Sequence, residues 1–82
     1  MNWILYILKC GDGSLYTGIT NDLTKRVLAH ENGTGAKYTK GRQPFTVVYQ
    51  EKCTDRSSAS KRELLVKKLN KKRKLDLIQS QG

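Results

Sequence analysis

Three observations along this chain predict a small α+β domain, a three-stranded sheet with helices laid over it. Trp3–Lys9 and Leu15–Thr20 are rich in β-branched and aromatic residues and flank Gly11-Asp12-Gly13, which supplies the turn chemistry of a hairpin. Directly after them Leu23, Val27 and Leu28 recur at helical spacing, behind Asn21-Asp22, residues suited to cap a helix N-terminus, with Gly33 ending the pattern after Glu31. A third β-rich stretch, residues 45–50, follows Pro44, and the remainder is a lysine-rich segment with apolar residues at helical spacing. The order β-β-α-β-α-α follows, with three to four helices covering one small sheet.

Register decides what the hairpin can do, because side chains alternate between faces with a period of two. If Asp12-Gly13 is a two-residue loop, Gly11 faces Ser14, Tyr6 falls opposite Ile19, and Tyr6 and Tyr16 point to opposite faces. If Gly11-Asp12-Gly13 is a three-residue loop with a glycine in the left-handed position, Cys10 faces Ser14, Leu8 faces Tyr16 and Tyr6 faces Gly18. Both phenols then share a face, and Gly18 leaves space beside the Tyr6 ring for the backbone of a ligand. We adopt the second register. Tyrosines in strands are also ordinary core residues, so the pair alone does not specify a function.

On the helix that follows, Arg26 and His30 lie about 40° apart and border the stripe formed by Leu23 and Val27. Each has a purely structural reading: an arginine stem covering apolar surface, a histidine satisfied within the core. Further on, Leu65, Val66 and Leu69 form an apolar stripe for packing. Leu75, Leu77 and Ile78 suggest a last helical stretch, with residues 70–74 interrupting the pattern.

Charge is the strongest compositional signal. Sixteen Lys and Arg against seven Asp and Glu give +9 on 82 residues, which points to a polyphosphate partner. Residues 61–74 hold eight of the sixteen basic residues and a single acid, Glu63. Lys61, Lys67, Lys68 and Lys71 on this segment are the candidate nucleic-acid contacts, through phosphates rather than bases. The alternative is a basic helix that serves only solubility. A second basic region, Lys37, Lys40 and Arg42 with Tyr38 among glycines, suits a backbone cradle with a stacking ring, or a plain surface loop.

A chain of this length holds one domain, residues 1–82. Residues 4–8 are too short an apolar run to span a bilayer and have no basic leader, so the expectation is a cytoplasmic protein without a membrane partner. Cys10 and Cys53 are too few for a disulfide scaffold, and with one histidine they form no zinc pattern. Reduced, inert thiols are expected.

Taken together, Tyr6, Tyr16-Thr17-Gly18, Arg26, His30 and Glu63 resemble the GIY-YIG nuclease domain, in which these residue types recur in this order at similar spacing. The resemblance covers nearly the whole chain. Gly35-Ala36-Lys37-Tyr38-Thr39, with Pro44 after it, is similar to the branch that contains structure-specific endonucleases and small stand-alone bacterial proteins. Ile4 stands in place of the first motif's glycine and Thr17 in place of the second motif's central isoleucine. Ile19 stands where some members carry lysine, leaving Lys9 or Lys37 as the ammonium for that region. The resemblance implies an α/β sandwich with an antiparallel sheet and hydrolysis of nucleic-acid phosphodiesters, DNA ahead of RNA, with a role in DNA repair or processing. It also implies one Mg²⁺ or Mn²⁺ held by Glu63.

Glu63 has two readings. Ser60-Lys61-Arg62-Glu63 fits a capping box, in which Glu63 reaches back to the start of a helix. If the helix starts near residues 55–58, Glu63 is interior, about 40° from Ala59 and about 60° from Val66, where a carboxylate has little local purpose. Asn70, two turns on and nearly in line, would then support the same site. In the mechanism implied, Arg26 stabilises transition-state charge. Tyr6 is the first choice of general base, Tyr16 positions water and phosphate, and His30 orients or deprotonates the tyrosine or water. Gly18, Lys37, Tyr38, Arg42 and Asn70 position the substrate. The alternative function is a basic DNA- or RNA-binding module that keeps the nuclease fold without catalysis.

Overall fold

The computed structural model describes residues 2–35 and 37–80. Its hairpin joins β1 (Trp3–Lys9) to β2 (Leu15–Thr20) through the three-residue loop. Gly13 sits at φ 85°, a region that an L side chain rarely adopts. The Cys10 N–H donates to the Ser14 carbonyl at 2.8 Å, and the Gly13 N–H donates to the Cys10 carbonyl at 2.9 Å. Leu8 therefore faces Tyr16, and Tyr6 faces Gly18, in the register that puts both phenols on one face.

β3 (Thr46–Cys53) pairs antiparallel with the other side of β1, so the sheet order is β2-β1-β3. It begins one residue later than residues 45–50 suggested and runs on to Cys53. Glu51, Lys52 and Cys53 lie beyond the expected stretch, yet β1 offers them paired positions at Leu5, Ile4 and Trp3. Exposed polar residues such as Gln50 and Lys52 are tolerated on an edge strand, where they also discourage pairing with another chain. Ile7 faces Tyr49 and Leu8 faces Val47, so Val48 is the extra residue of a bulge.

The helices follow local caps. α1 (Leu23–Glu31) starts where the Asp22 carboxylate accepts the Lys25 N–H at 3.1 Å. α2 (Arg56–Lys67) starts where the Asp55 carboxylate accepts the Ser58 N–H at 2.8 Å. α3 (Lys71–Ser80) is a separate helix, because the Asn70 side-chain oxygen accepts the Arg73 N–H at 2.8 Å. Lys37–Thr39 adds one 3₁₀ turn. The order β-β-α-β-α-α, in an α+β fold with an antiparallel sheet, is as the sequence predicts.

The two sheet faces have different covers. Leu5, Ile7 and Tyr49 form the core with Val66 of α2, and Leu15, Ile19, Val48, Leu77 and Ile78 pack against them. Ala59 and Val66, seven residues apart, are the buried contacts of α2. Leu65, expected in that stripe, is exposed, as are Leu64 and Leu28, because each lies off the narrow face its helix presents to the sheet. Cys10 is buried, Cys53 is half-buried, and both are free thiols. Among the described residues, no helix is long and apolar enough to cross a membrane.

Candidate active site

The other sheet face carries Tyr6 and Tyr16, with ring centroids 6.3 Å apart, and His30 of α1 stands over both, 6.0 Å from Tyr6 and 5.3 Å from Tyr16. The Tyr6 hydroxyl lies 2.9 Å from Nε2 of His30, and Nδ1 of His30 lies 2.8 Å from Oγ1 of Thr39. Arg26, one turn before His30, donates from Nε to the Tyr6 oxygen at 3.4 Å. Tyr6, His30 and Thr39 are almost wholly buried. The i, i+4 spacing of Arg26 and His30 thus delivers a cation and an imidazole to one phenol.

These contacts fix the proton inventory. Burial raises the pKa of Tyr6 above 10.0; the Arg26 hydrogen bond opposes that rise, while the Tyr16 phenol and the Glu63 carboxylate add to it. Burial lowers the pKa of His30 below 6.5, and the Arg26 charge lowers it further. Both groups are therefore neutral near pH 7. Arg26 can only donate, so the Tyr6 oxygen accepts from it, which leaves the phenol proton for Nε2 of His30 in one of the two tautomers. In that tautomer the imidazole carries its proton on Nδ1 and donates to Thr39, and each of these atoms has a partner. The phenol is not predisposed to ionise: the local positive charge that a tyrosine base needs is present in Arg26, but burial outweighs it.

Gly18 serves a different purpose from the one expected. A Cβ at that position would lie 2.6 Å from the Tyr6 oxygen and 3.1 Å from Cε2 of Tyr16. The space opposite Tyr6 is filled by its own phenol rather than held open for a ligand. Gly35 plays the same part for His30, where a Cβ would come within 2.9 Å of Cε1. Neither Gly35 nor Thr39 was singled out from the sequence. Their segment was visible as a motif, but the partner of a buried hydroxyl is not encoded in local spacing.

Glu63 lies in the interior of α2, whose cap is Asp55, so the capping-box reading is excluded. α2 packs on the sheet face opposite the phenols. β2 is one of the sheet's two edge strands. Glu63 of α2 is near enough for its charge to act on Tyr6. Its Oε2 is 3.5 Å from Nζ of Lys67. A groove at this edge is lined by Leu15, Tyr16, Thr17, Tyr38, Lys67 and Lys74. Lys67 and Lys74 thus line the groove beside Tyr16; Lys9 sits in another groove, against Leu75 and Ile78.

Three expected positioning residues are differently employed. Asn70 lies beyond the end of α2 and uses its side-chain oxygen to cap α3, so it does not extend the Glu63 face. Arg42 is not a free cradle: it pairs with Asp12 in the hairpin turn, donates to the Tyr38 carbonyl at 2.7 Å, and lies 4.6 Å over the Tyr38 ring. Tyr38, 46% exposed, stacks on Tyr16 with its centroid 5.8 Å away, so its ring contacts both Tyr16 and Arg42. Lys37 is exposed at the start of the 3₁₀ turn, and Lys61, Lys67, Lys68 and Lys71 are all exposed on α2, α3 or the turn between them.

Among the described residues no three His, Cys, Asp or Glu side chains come together as a metal site. Glu63 pairs with Lys67, which lines the groove. A Mg²⁺-type ion takes oxygen ligands, keeps several waters and is commonly bound by one or two carboxylates plus substrate phosphate. One partly buried carboxylate, paired with a lysine of the groove, fits such an ion only when the substrate completes its shell.

A model of the GIY-YIG catalytic domain matches residues 2–76. A UPF0213 protein of Clostridium perfringens is 54% identical over 82 residues, covering 100% of this chain and 87% of that protein. The solution NMR structure of a UPF0213 protein from Bacillus halodurans superposes with a TM-score of 0.65 at 43% identity, covering 100% of this chain and 87% of that one. That of a protein from E. faecalis gives 0.69 at 39%, covering 98% and 85%. Matches of this length, on a sheet whose register sets Tyr6 against Gly18, mean that the chain belongs to the GIY-YIG catalytic domain family.

Proposed function

We propose that this chain is a divalent-metal-dependent endonuclease domain that hydrolyses nucleic-acid phosphodiester bonds, with DNA ahead of RNA as substrate. The observation that carries the reading is Arg26 bonded to a phenol, Tyr6, whose proton has an outlet on His30, beside the open edge of β2. A net charge of +9, with exposed Lys61, Lys68 and Lys71 on the C-terminal helices, supports a polyphosphate substrate.

In this reading Arg26 offers a permanent planar charge to the phosphate as negative charge builds on it. Tyr16, half-buried at the groove, meets phosphate and water first. Tyr6 has no exposed surface, so water reaches it once a bound phosphate draws Arg26 outward. Its oxygen then takes a proton from the attacking water while its own passes to Nε2 of His30. Thr39 holds the imidazole in the accepting tautomer. Glu63 would hold the ion, Mg²⁺ or Mn²⁺, which when bound supplies Lewis-acid neutralisation of the phosphate. A cytoplasmic role in DNA repair or processing belongs to the same reading.

A second reading, a binding module without catalysis, is favoured by the pairing of Glu63 with Lys67 and by the raised pKa of Tyr6. The two separate in one assay. Duplex, single-stranded and branched substrates are incubated with Mg²⁺ or Mn²⁺ and wild type, Glu63→Ala or Arg26→Ala. The nuclease reading expects metal-dependent cleavage lost in both variants; cleavage that survives Glu63→Ala overturns the mechanism. Salt-sensitive binding with no cleavage of any substrate selects the binding module.

A further inference from the structure

The same ammonium borders both the carboxylate and the groove. Nζ of Lys67 lies 3.5 Å from Oε2 of Glu63, and Lys67 also lines the groove with Tyr16, Thr17, Tyr38 and Lys74. The Lys67 side chain is 49% exposed and that of Glu63 is 21% exposed, so the lysine is the partner free to swing. A partly exposed i, i+4 pair is among the weakest ion pairs in a protein. Lys67 holds a compact charge on a flexible four-carbon stem, well suited to changing partners. Thr17, in the same groove, has a buried Oγ1 with no hydrogen-bond partner among the described residues, which leaves a polar atom for a ligand or water to satisfy.

We propose that Lys67 is an exchangeable counter-cation on Glu63: a nucleic-acid phosphate entering the groove takes the ammonium, and the carboxylate becomes available to a divalent ion. The proposal rests on the reading of Glu63 as the metal ligand. Lys67 is then a positioning residue. In the free protein it occupies the carboxylate and keeps metal affinity low; with nucleic acid bound it lies on phosphate. Nucleic acid and metal consequently bind with positive coupling, each tightening the other by the same factor.

The test measures Mn²⁺ binding through the electron paramagnetic resonance of free Mn²⁺, without nucleic acid and then with a non-cleavable phosphorothioate oligonucleotide. Without nucleic acid, Lys67→Met is expected to bind Mn²⁺ about two- to threefold more tightly than wild type, the equivalent of a weak ion pair. Lys52→Met, which removes the same charge from β3, is expected to leave it unchanged. The oligonucleotide is expected to tighten Mn²⁺ binding in wild type and to do so less in Lys67→Met. If Lys67→Met binds Mn²⁺ no better than wild type while Glu63→Gln binds it more weakly, the exchange is overturned and the metal-ligand reading stands. If Glu63→Gln binds Mn²⁺ as wild type does, the metal-ligand reading falls and the exchange with it.

Discussion

The hydroxyl of Tyr6 and Nε2 of His30 meet at 2.9 Å across 24 residues of sequence, with both side chains fully buried. Strand and helix meet there through this contact and the Arg26 hydrogen bond to the same phenol. Removing either partner strands the other, which costs about 1–3 kcal/mol for a buried polar group left unsatisfied. Tyr6→Phe is therefore expected to lower the unfolding free energy by an amount in that range, read from urea denaturation, as well as to lower cleavage. A variant as stable as wild type would mean that the bond contributes nothing to the fold.

Gly18→Ala tests the same bond by geometry. The added methyl would sit 2.6 Å from the Tyr6 oxygen, so the phenol must move away from His30 and Arg26. Misplacing a reacting group by about 1 Å costs on the order of 100-fold in rate. Cleavage should fall by about that factor while salt-dependent DNA binding, carried by the distant lysines, stays within about twofold. Parallel loss of both would place Gly18 in folding rather than in the site.

The lowered pKa of His30 has a signed consequence. An imidazole that stays neutral in the folded state takes up a proton more readily when unfolded, so the unfolded state binds more protons below pH 6.5. The contribution is fully present above that pH and is lost as pH falls toward the lower folded value. Stability measured by urea titration should decline on acidification from about pH 7.5 to about 5.5, and this component should vanish in His30→Gln. A His30→Gln profile that matches wild type contradicts the assignment.

Arg42 clasps Tyr38 and the hairpin turn, and its carbonyl accepts the Gly11 N–H at 2.7 Å. An exposed ion pair contributes little to stability, and a surface cation–π contact little more. Arg42→Ala should speed amide hydrogen exchange at Gly11 while leaving β1 and β3 protected. Unchanged exchange at Gly11 would show that the backbone bond holds without the side chain.

The exposed lysines of the C-terminal helices predict a counterion effect. Removing one lysine that neutralises a phosphate reduces the slope of log affinity against log salt by about 0.9. Lys71→Ala and Lys68→Ala should each flatten the slope for duplex DNA by up to about one unit, with no change in sequence preference. Slopes equal to wild type would move the DNA track to another face.

The hairpin register was half legible in the sequence, because turn length and a period of two leave only two choices, and the structure takes the three-residue loop. The pairing of Arg26 with His30 was legible, since helical spacing puts residues i and i+4 on one face whatever the rest of the chain does. The cap on α2 settled Glu63 through equally local chemistry, although only the structure distinguished Asp55 from Ser60 as the start. What remained hidden depends on segments remote from one another: β3 extending to Cys53 along a strand from the other end of the chain, Thr39 closing on His30, and Arg42 spent on Asp12. The sequence alone determined which side chains of one strand or one helix share a face, because periodicity is a property of the backbone. Only the tertiary structure decided that Tyr6 is buried as a neutral phenol while Tyr16 stays at the groove, because burial and desolvation are set by what other segments pack on top.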